Sequence, residues 1–484
     1  MRRAFFRVDQ SPEIGGGHLI RCLALADALR TEGWTCFFAT RGDDTARMIE
    51  AAGHGALRLE ENVDAEAGQL ASHGKADLLV VDHYGRDAGL ESACRPFCRR
   101  ILVIDDLADR PHDADVILDQ NLGRRGGDYD GLVADGCKRL IGPAFALLRP
   151  QFAAARPATL VRRNADSPAR RILVQLGMGN REGPIRVALE GILRARPDLH
   201  VDLVAGRMTP GLNDIVEDFS GRGLKLHAHV GVSDMAGMMS AADMAVGAGG
   251  SGSWERCCLG LPSLVMVLGP DQAPIARALA DRGIAAHLGT WPDVTADGVA
   301  GALEALAADH GGRGSMARRA ARACDGLGAR RVALALDARA DGTDAYLRPV
   351  TREDADILFA WQTHPGSRTY MRNPRPPTRE EHEAFMERRA GTGGRPFELL
   401  ILDGTPAAAV RLEDVPKGLE VSIVVAPGHR GRGVGRIALT QLRRLVPDLP
   451  FVADVHPDNE PSLRLFSQCG YTSRDGGLIC GPVA

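Results

Sequence analysis

Ala4-Phe5-Phe6-Arg7-Val8, then Gly15-Gly16-Gly17-His18, then Leu19-Ile20-Arg21-Cys22-Leu23-Ala24-Leu25-Ala26 place a short apolar strand, a glycine turn and a helix in direct succession. The helix is expected from His18 to Arg30, with Leu19, Cys22, Leu23, Ala26 and Leu29 on one apolar stripe. Glycine lets backbone N–H groups approach a ligand, and a helix start favours negative charge. The chain continues in the same pattern. Trp34 to Ala39 reads as a strand. Asp77-Leu78-Leu79-Val80-Val81-Asp82 and Ile101-Leu102-Val103-Ile104-Asp105 are near-continuous apolar runs. Such runs suit a parallel sheet covered on both faces, and each ends in Asp at the carboxyl edge where open α/β sheets bind ligands.

Working outward, the alternation pauses between Arg156 and Ala169, a stretch rich in Arg, Pro and Ala that reads as a linker. The pairs Arg162-Arg163 and Arg170-Arg171 are expected to be solvated there. Strands then resume at Ile172 to Leu176, Val201 to Ala205, Met244 to Val246 and Leu264 to Leu268, and Ala-rich helices close the unit through Ala338. A short polar segment from Asp337 to Tyr346 precedes a change of character. Leu347 to Val350 is a strand, Thr351-Arg352-Glu353-Asp354 reads as a helix cap, and Phe397 to Leu402 and Ala407 to Leu412 flank Asp403-Gly404 as a hairpin. The expected domains are 1–160, 170–338 and 346–484, the first two of βα-alternating type and the fold class α/β overall.

With 484 residues the chain is too long for one ordinary domain. A net charge of −3 excludes a nucleic-acid binder driven by bulk charge. No apolar stretch is long enough to span a bilayer, and Met1-Arg2-Arg3 leads straight into a strand. The expectation is a cytoplasmic protein with no nucleic-acid or membrane partner; the sequence leaves its oligomeric state open. The ten cysteines form no metal pattern and read as reduced buried thiols, so no metal is expected.

His18 stands in the positive field of a helix start, which keeps an imidazole neutral and able to take a proton from water. It reads as a general base or as a capping residue. Arg21, three residues on, reads as an anion ligand or a solvated side chain. Asp82, Tyr84 and Asp105 stand at strand ends, where carboxylates read as orienting a sugar hydroxyl or a water, or as loop caps. The turn Gly249-Gly250-Ser251-Gly252-Ser253 follows an apolar strand and offers N–H groups and two hydroxyls to a diphosphate, with Glu255 placed for ribose hydroxyls. Gly177 to Asn180 and Asp271-Gln272 are further loops at the carboxyl edge.

These residues resemble a family. Phe6 to Ala26, Asp82-His83-Tyr84, Asp105-Asp106, Asp119-Gln120-Asn121, Leu147-Leu148-Arg149-Pro150 and Gly249 to Glu255 are similar to the nucleotide-sugar hydrolases of pseudaminic acid biosynthesis. That family releases UDP from UDP-2,4-diacetamido-2,4,6-trideoxy-β-L-altropyranose. The resemblance implies a GT-B-like pair of Rossmann-type domains, with His18 as the base that activates water. It also implies a UDP-sugar held by Asp9, Gly17, Arg21, Asp82, Tyr84, Asn180, Gly250, Ser251, Gly252, Ser253, Glu255 and Gln272. The chain departs from it at Gly177-Met178-Gly179-Asn180 and at Phe145, where a Tyr is common.

Val421 to Val425 runs through Pro427 into Arg430-Gly431-Arg432-Gly433-Val434-Gly435 and a helix. This resembles motif A of the GNAT-family N-acetyltransferases, and Asn459 to Phe466 with Gly470-Tyr471 resembles that family's closing motif. The resemblance implies a GNAT α+β domain using acetyl-CoA as cosubstrate. Val424, Val425, Arg430, Gly431, Arg432, Gly433, Val434, Gly435 and Asn459 would hold the cosubstrate. Glu420 is the candidate base for the amine, with His456 its rival. Phe466 stands where the family often has its acidic Tyr. In pseudaminic acid synthesis, 4-N-acetylation of the UDP-amino sugar immediately precedes UDP removal, so a fusion of the two activities is chemically coherent. Two alternatives stand beside it: a GT-B glycosyltransferase fused to an acetyltransferase, and a nucleotide-sugar binding module serving the acetyltransferase.

Overall fold

The computed structural model describes residues 2–10, 16–60, 62, 65–163, 168–177, 179, 181–206, 209–337, 342–474 and 477–482. The chain divides into two compact units, Met1–Ala329 and Arg330–Ala484. The first unit contains two parallel sheets, the second a mixed one.

The first sheet is built from β1 (Arg2–Val8), β2 (Trp34–Thr40), β3 (Gly55–Arg58), β4 (Leu78–Asp82), β5 (Ile101–Ile104), β6 (Val116–Asp119) and β7 (Lys138–Ile141). Their order is β3-β2-β1-β4-β5-β6-β7 and every pairing is parallel. Every residue of β4, β5 and β6 is buried, as their unbroken apolar runs require when helices cover both faces. The strand order reverses between β1 and β4. That is the crevice where such sheets bind ligands, and it lies between the residues that follow β1 and those that end β4.

The second sheet comprises β8 (Arg171–Gln175), β9 (His200–Ala205), β10 (Lys225–Val230), β11 (Met244–Ala248), β12 (Ser263–Val267) and β13 (Ala286–Thr290). Its order, β10-β9-β8-β11-β12-β13, is also wholly parallel and reverses between β8 and β11. The third sheet holds β14 (Ala345–Pro349), β15 (Phe397–Leu402), β16 (Thr405–Val415), β17 (Gly418–Val425), β18 (Phe451–Ala453), β19 (Thr472–Arg474) and β20 (Gly477–Cys480), ordered β14-β15-β16-β17-β18-β20-β19. Asp403 and Gly404 both take positive φ, 47° and 75°, in the tight turn between β15 and β16. β17 and β18 pair in parallel only at Leu419↔Phe451 and Glu420↔Val452, so β17 from Val421 onward has no partner on that side among the described residues.

Two expectations need correction. The stretch read as a linker from Arg156 is helical through Arg163, in the helix Pro150–Arg163. Arg156 donates to the carbonyls of Cys258, Cys324 and Ala321, and Arg163 to those of Leu259, Ala242 and Met239. These bonds dock the helix on the second sheet's helices and outweigh the breaking tendency of Pro157. Arg162 and Arg163 are therefore structural ties rather than a solvated stretch. The opening helix runs from Gly17 to Thr31 and buries His18, Arg21, Ala24, Leu25 and Ala28 as well as its expected stripe, while Leu23 is only half-buried. One side meets the sheet and another the polar cleft described next.

Candidate active sites

The helix Gly17–Thr31 begins without a side-chain cap, and the N–H groups of Gly17, His18 and Leu19 have no acceptor among the described residues. His18 is buried, with Nδ1 lying 2.8 Å from Asp82 Oδ1. The approach is close but off the hydrogen-bond axis, since Nδ1 has no partner of proper geometry among the described residues. Asp82, the last residue of β4, is gripped by Arg21, whose Nε donates to Oδ2 at 2.7 Å and Nη2 to Oδ1 at 2.6 Å. Burial alone would raise the Asp82 carboxyl, but Arg21 and His18 outweigh it and hold it well below the usual carboxylate range. Arg21 Nη1 reaches Asp106 at 2.8 Å, so the carboxylates it holds are the protein's own. Tyr84 donates to Asp106 Oδ2 at 3.2 Å and stands edge-on to the His18 ring at 4.7 Å.

Behind this layer Tyr129 is fully buried between Asp105 Oδ2, at 3.0 Å, and Asp119 Oδ2, at 2.9 Å. Burial pushes the Asp119 carboxyl up to about 6, against the pull of Arg124, whose Nε donates to the same oxygen at 2.7 Å.

In the second half of this unit, the N–H groups of Gly250, Ser251 and Gly252 have no acceptor among the described residues. Gln272 Oε1 accepts from Gly249 N and Leu268 N, at 3.2 and 3.1 Å, which clamps the turn. Arg256 lies beneath it, donating to Ala248 O at 2.7 Å and Ser253 Oγ at 3.1 Å. A Cβ on Gly247 would lie 2.4 Å from the Arg256 guanidinium, so any larger residue there would displace it. Ser253 is buried and its hydroxyl is engaged within the turn. Glu255 is buried 3.5 Å from Arg149 Nη2. Burial raises its carboxyl, against the opposing pull of Arg149 and Arg256. Gln175 Oε1 and Arg149 Nε are buried without hydrogen-bond partners among the described residues.

The two halves meet at one point that matters. A Cβ on Gly17 would come 2.8 Å from Ser251 Oγ. The open end of the first helix and the unpaired N–H groups of the glycine turn therefore face the same space, with His18 beside it. Asp271 is near enough to Asp106, His18 and Arg181 for their charges to act on it, and burial raises its carboxyl.

Thus His18, Gly17, Arg21, Asp82 and Tyr84 come together, and Gly250, Ser251, Gly252, Ser253, Glu255 and Gln272 form the opposing turn. Asp9, just after β1, accepts from Arg7 Nη2 at 2.7 Å and Arg41 N at 2.9 Å, and its Oδ2 lies 3.4 Å from Nε2 of His83, the residue between Asp82 and Tyr84. Gly15, Met178 and Asn180 lie outside the described residues. Arg256, Gln175 and Tyr129 went unmarked in the sequence, for their roles depend on partners that no short motif displays.

In the second unit, Gly431 and Gly433 take φ of 75° and 76°, a left-handed conformation that disfavours any other residue. Nothing lies within 4 Å of a Cβ at either position, and Gly431, Arg432 and Gly433 are exposed. The N–H groups from Gly431 to Gly435 lack acceptors among the described residues at the head of the helix Val434–Leu445. Such a cradle fits a pyrophosphate. Gly435 has a packing role, since a Cβ there would meet Leu465 at 2.9 Å. Val424 and Val425 close the unpaired end of β17. Arg430 is tied to Ser367 Oγ at 2.6 Å. Glu420 accepts from Arg372 at 2.7 Å, which also binds Asp454. Asn459 Oδ1 caps the helix Glu460–Gln468 through Ser462 N. His456 stacks near Tyr370 at 5.6 Å, and Phe466 is buried against Tyr471.

Residues 345–472 match the acetyltransferase (GNAT) domain family. The chain is 30% identical over 151 residues to the UDP-2,4-diacetamido-2,4,6-trideoxy-beta-L-altropyranose hydrolase of Campylobacter jejuni, covering 31% of this chain and 53% of that protein. It therefore spans about half the length of that relative. It is 26% identical over 287 residues to the spore coat polysaccharide biosynthesis protein SpsG of Bacillus subtilis, covering 58% of this chain and 82% of that one. Among solved structures, MurG of Acinetobacter baumannii superposes with a TM-score of 0.51 at 14% identity, over 69% of this chain and 98% of that chain; the likeness is one of fold. Among the described residues there is no metal-binding cluster, and no helix is long and apolar enough to cross a membrane. The chain joins a GT-B-like pair of parallel-sheet domains, homologous in part to a UDP-sugar hydrolase, to a C-terminal GNAT acetyltransferase domain.

Proposed function

We propose that the first unit hydrolyses a UDP-linked diacetamido-trideoxy sugar, releasing UDP, and that the GNAT domain 4-N-acetylates the preceding UDP-amino sugar with acetyl-CoA. The reading rests above all on the meeting of Gly17-His18 with Ser251, which sets a base beside two groups of unpaired N–H donors. Water gives a proton to His18 Nε2 while its oxygen bonds to the anomeric carbon. The carbon–oxygen bond to the β-phosphate breaks, and its electron pair leaves on UDP. Asp82, ionised and fixed by Arg21, faces Nδ1 and stabilises the imidazolium that forms. General base catalysis contributes about 10²–10⁴-fold, so the N–H groups that meet the departing diphosphate must contribute much of the remainder. Glu255 takes the ribose hydroxyls.

In the second unit the N–H groups of Gly431 to Gly435 take the pyrophosphate of acetyl-CoA. Glu420 removes the proton from the attacking sugar amine, the new C–N bond forms, and the thioester C–S bond breaks with its electron pair leaving on the CoA sulfur as thiolate. The deciding experiment incubates the protein with the diacetamido UDP-sugar in ¹⁸O-water. Label in the free sugar and none in UDP supports attack of water at the anomeric carbon. Consumption of the UDP-sugar only when a second sugar or lipid acceptor is added would instead identify a glycosyltransferase.

A further inference from the structure

Three side chains of the opening helix address one carboxylate. His18, Arg21 and Cys22 stand at i, i+3 and i+4 of Gly17–Thr31, a spacing that puts them on the same face of the helix. All three are buried, and so is Asp82 at the end of β4. Asp82 Oδ1 accepts from Arg21 Nη2 at 2.6 Å and has His18 Nδ1 at 2.8 Å. Its Oδ2 accepts from Arg21 Nε at 2.7 Å and from the Cys22 thiol at 3.3 Å. Each oxygen thus has one guanidinium N–H and one further neighbour.

This thiol differs from others in the chain. Cys36 and Cys137 donate to main-chain carbonyls, each at 3.7 Å, whereas Cys22 is nearer its acceptor and the acceptor is charged. Burial, with Asp82 beside it, holds the Cys22 thiol well above the usual range, so it keeps its proton and serves as a donor rather than a nucleophile. Sulfur donates weakly. It therefore occupies a lone pair of a buried oxygen without drawing off the charge that faces the imidazole, and an alkyl group in its place would leave that lone pair without a donor.

Given His18 as the base of the hydrolase proposed above, we propose that Cys22 is a positioning residue of that site: its thiol completes, with Arg21, the clamp that holds Asp82 Oδ1 toward His18, and so sets how tightly the ring holds the proton taken from water. A hydrogen bond to an ionised carboxylate spreads its charge. Removing the bond concentrates the charge on Asp82, and the facing imidazole then holds its proton more tightly. The other charged or titratable groups around the ring among the described residues are Tyr84 and Asp106, bonded to each other, and Asp271, which follows β12. Asp271 can give the activity a pH limb of its own, so the ring itself must be observed.

The test is an NMR titration of the full-length protein carrying ¹³C-labelled histidine, in wild type, Cys22→Ala and Cys22→Val, with the His18 signal identified by its loss in His18→Ala. Valine restores the volume that alanine removes, and neither side chain donates a hydrogen bond. Both variants should raise the midpoint of the His18 titration by about half a pH unit. The acid limb of kcat for UDP release should move with it, lowering kcat on that limb about threefold at fixed pH while KM stays at its wild-type value. A midpoint unchanged or lowered in both variants overturns the proposal. So does a shift in Cys22→Ala that is absent from Cys22→Val, which would mark a packing role alone. Absence of UDP release by wild type would overturn the hydrolase reading instead, and the titration, which needs no turnover, still decides for or against Cys22.

Discussion

Replacing Gly17 by Ala tests whether the two halves of the first unit meet where catalysis requires. The backbone at Gly17 is free of positive φ, so alanine is tolerated and on propensity alone would raise helix stability by up to about 1 kcal/mol. The added methyl would lie 2.8 Å from Ser251 Oγ, whereas ordinary contact begins near 3.4 Å. Ser251 can yield only by leaving its rotamer or turning its hydroxyl away, at a cost of about 0.5–1.5 kcal/mol. That cost falls on the geometry that receives the diphosphate. The melting temperature of Gly17→Ala should therefore stay level or rise, while kcat/KM for UDP release drops about 2- to 13-fold. The double variant Gly17→Ala/Ser251→Gly, which removes the obstructing hydroxyl, should recover part of that loss. A fall of several degrees in melting temperature, or unchanged kinetics in the single variant, would refute the reasoning.

Four further outcomes follow from the same geometry. Asp119 has its carboxyl raised from 3.8 to about 6. An acid that binds its proton more tightly when folded loses stability as pH rises between those values, here by about 3 kcal/mol; denaturant melts of wild type against Asp119→Asn at pH 4 and 7 should differ in their pH slope by that order. Arg256→Met removes the support of Ala248 O and Ser253 and should raise KM for the UDP-sugar while leaving acetyl transfer intact in the same preparation. Gly433→Ala should cost about 1–2 kcal/mol of backbone strain and raise KM for acetyl-CoA, measured by thiol release. Gly435→Val drives a side chain into Leu465 and should destabilise the second unit by about 1–3 kcal/mol in urea unfolding.

The strands were legible because β4 and β5 are unbroken apolar runs, and the glycine turns because each follows a strand and opens a helix. Asp82 could be placed at a ligand edge from its position alone. What it does there could not, since its partner Arg21 is 61 residues away in sequence and Asp106 is 85 residues from Arg21. Arg21 consequently read as a ligand for substrate, although its guanidinium is divided between two carboxylates of the chain. The helix Pro150–Arg163 was misread for a related reason. Pro157 and clustered arginines look like linker composition, and the carbonyls that satisfy Arg156 lie 102 to 168 residues further along the chain. The limits of the opening helix were close to expectation, but its burial was underestimated.

The most direct test of the account is UDP release from the diacetamido UDP-sugar by wild type and His18→Ala, with no acetyl-CoA present. The account predicts steady release by wild type and a loss of about 10²–10⁴-fold in kcat for the variant, with the fold and acetyl transfer preserved. Release at the wild-type rate by His18→Ala would contradict His18 as the base, and no release by wild type would contradict the hydrolase itself.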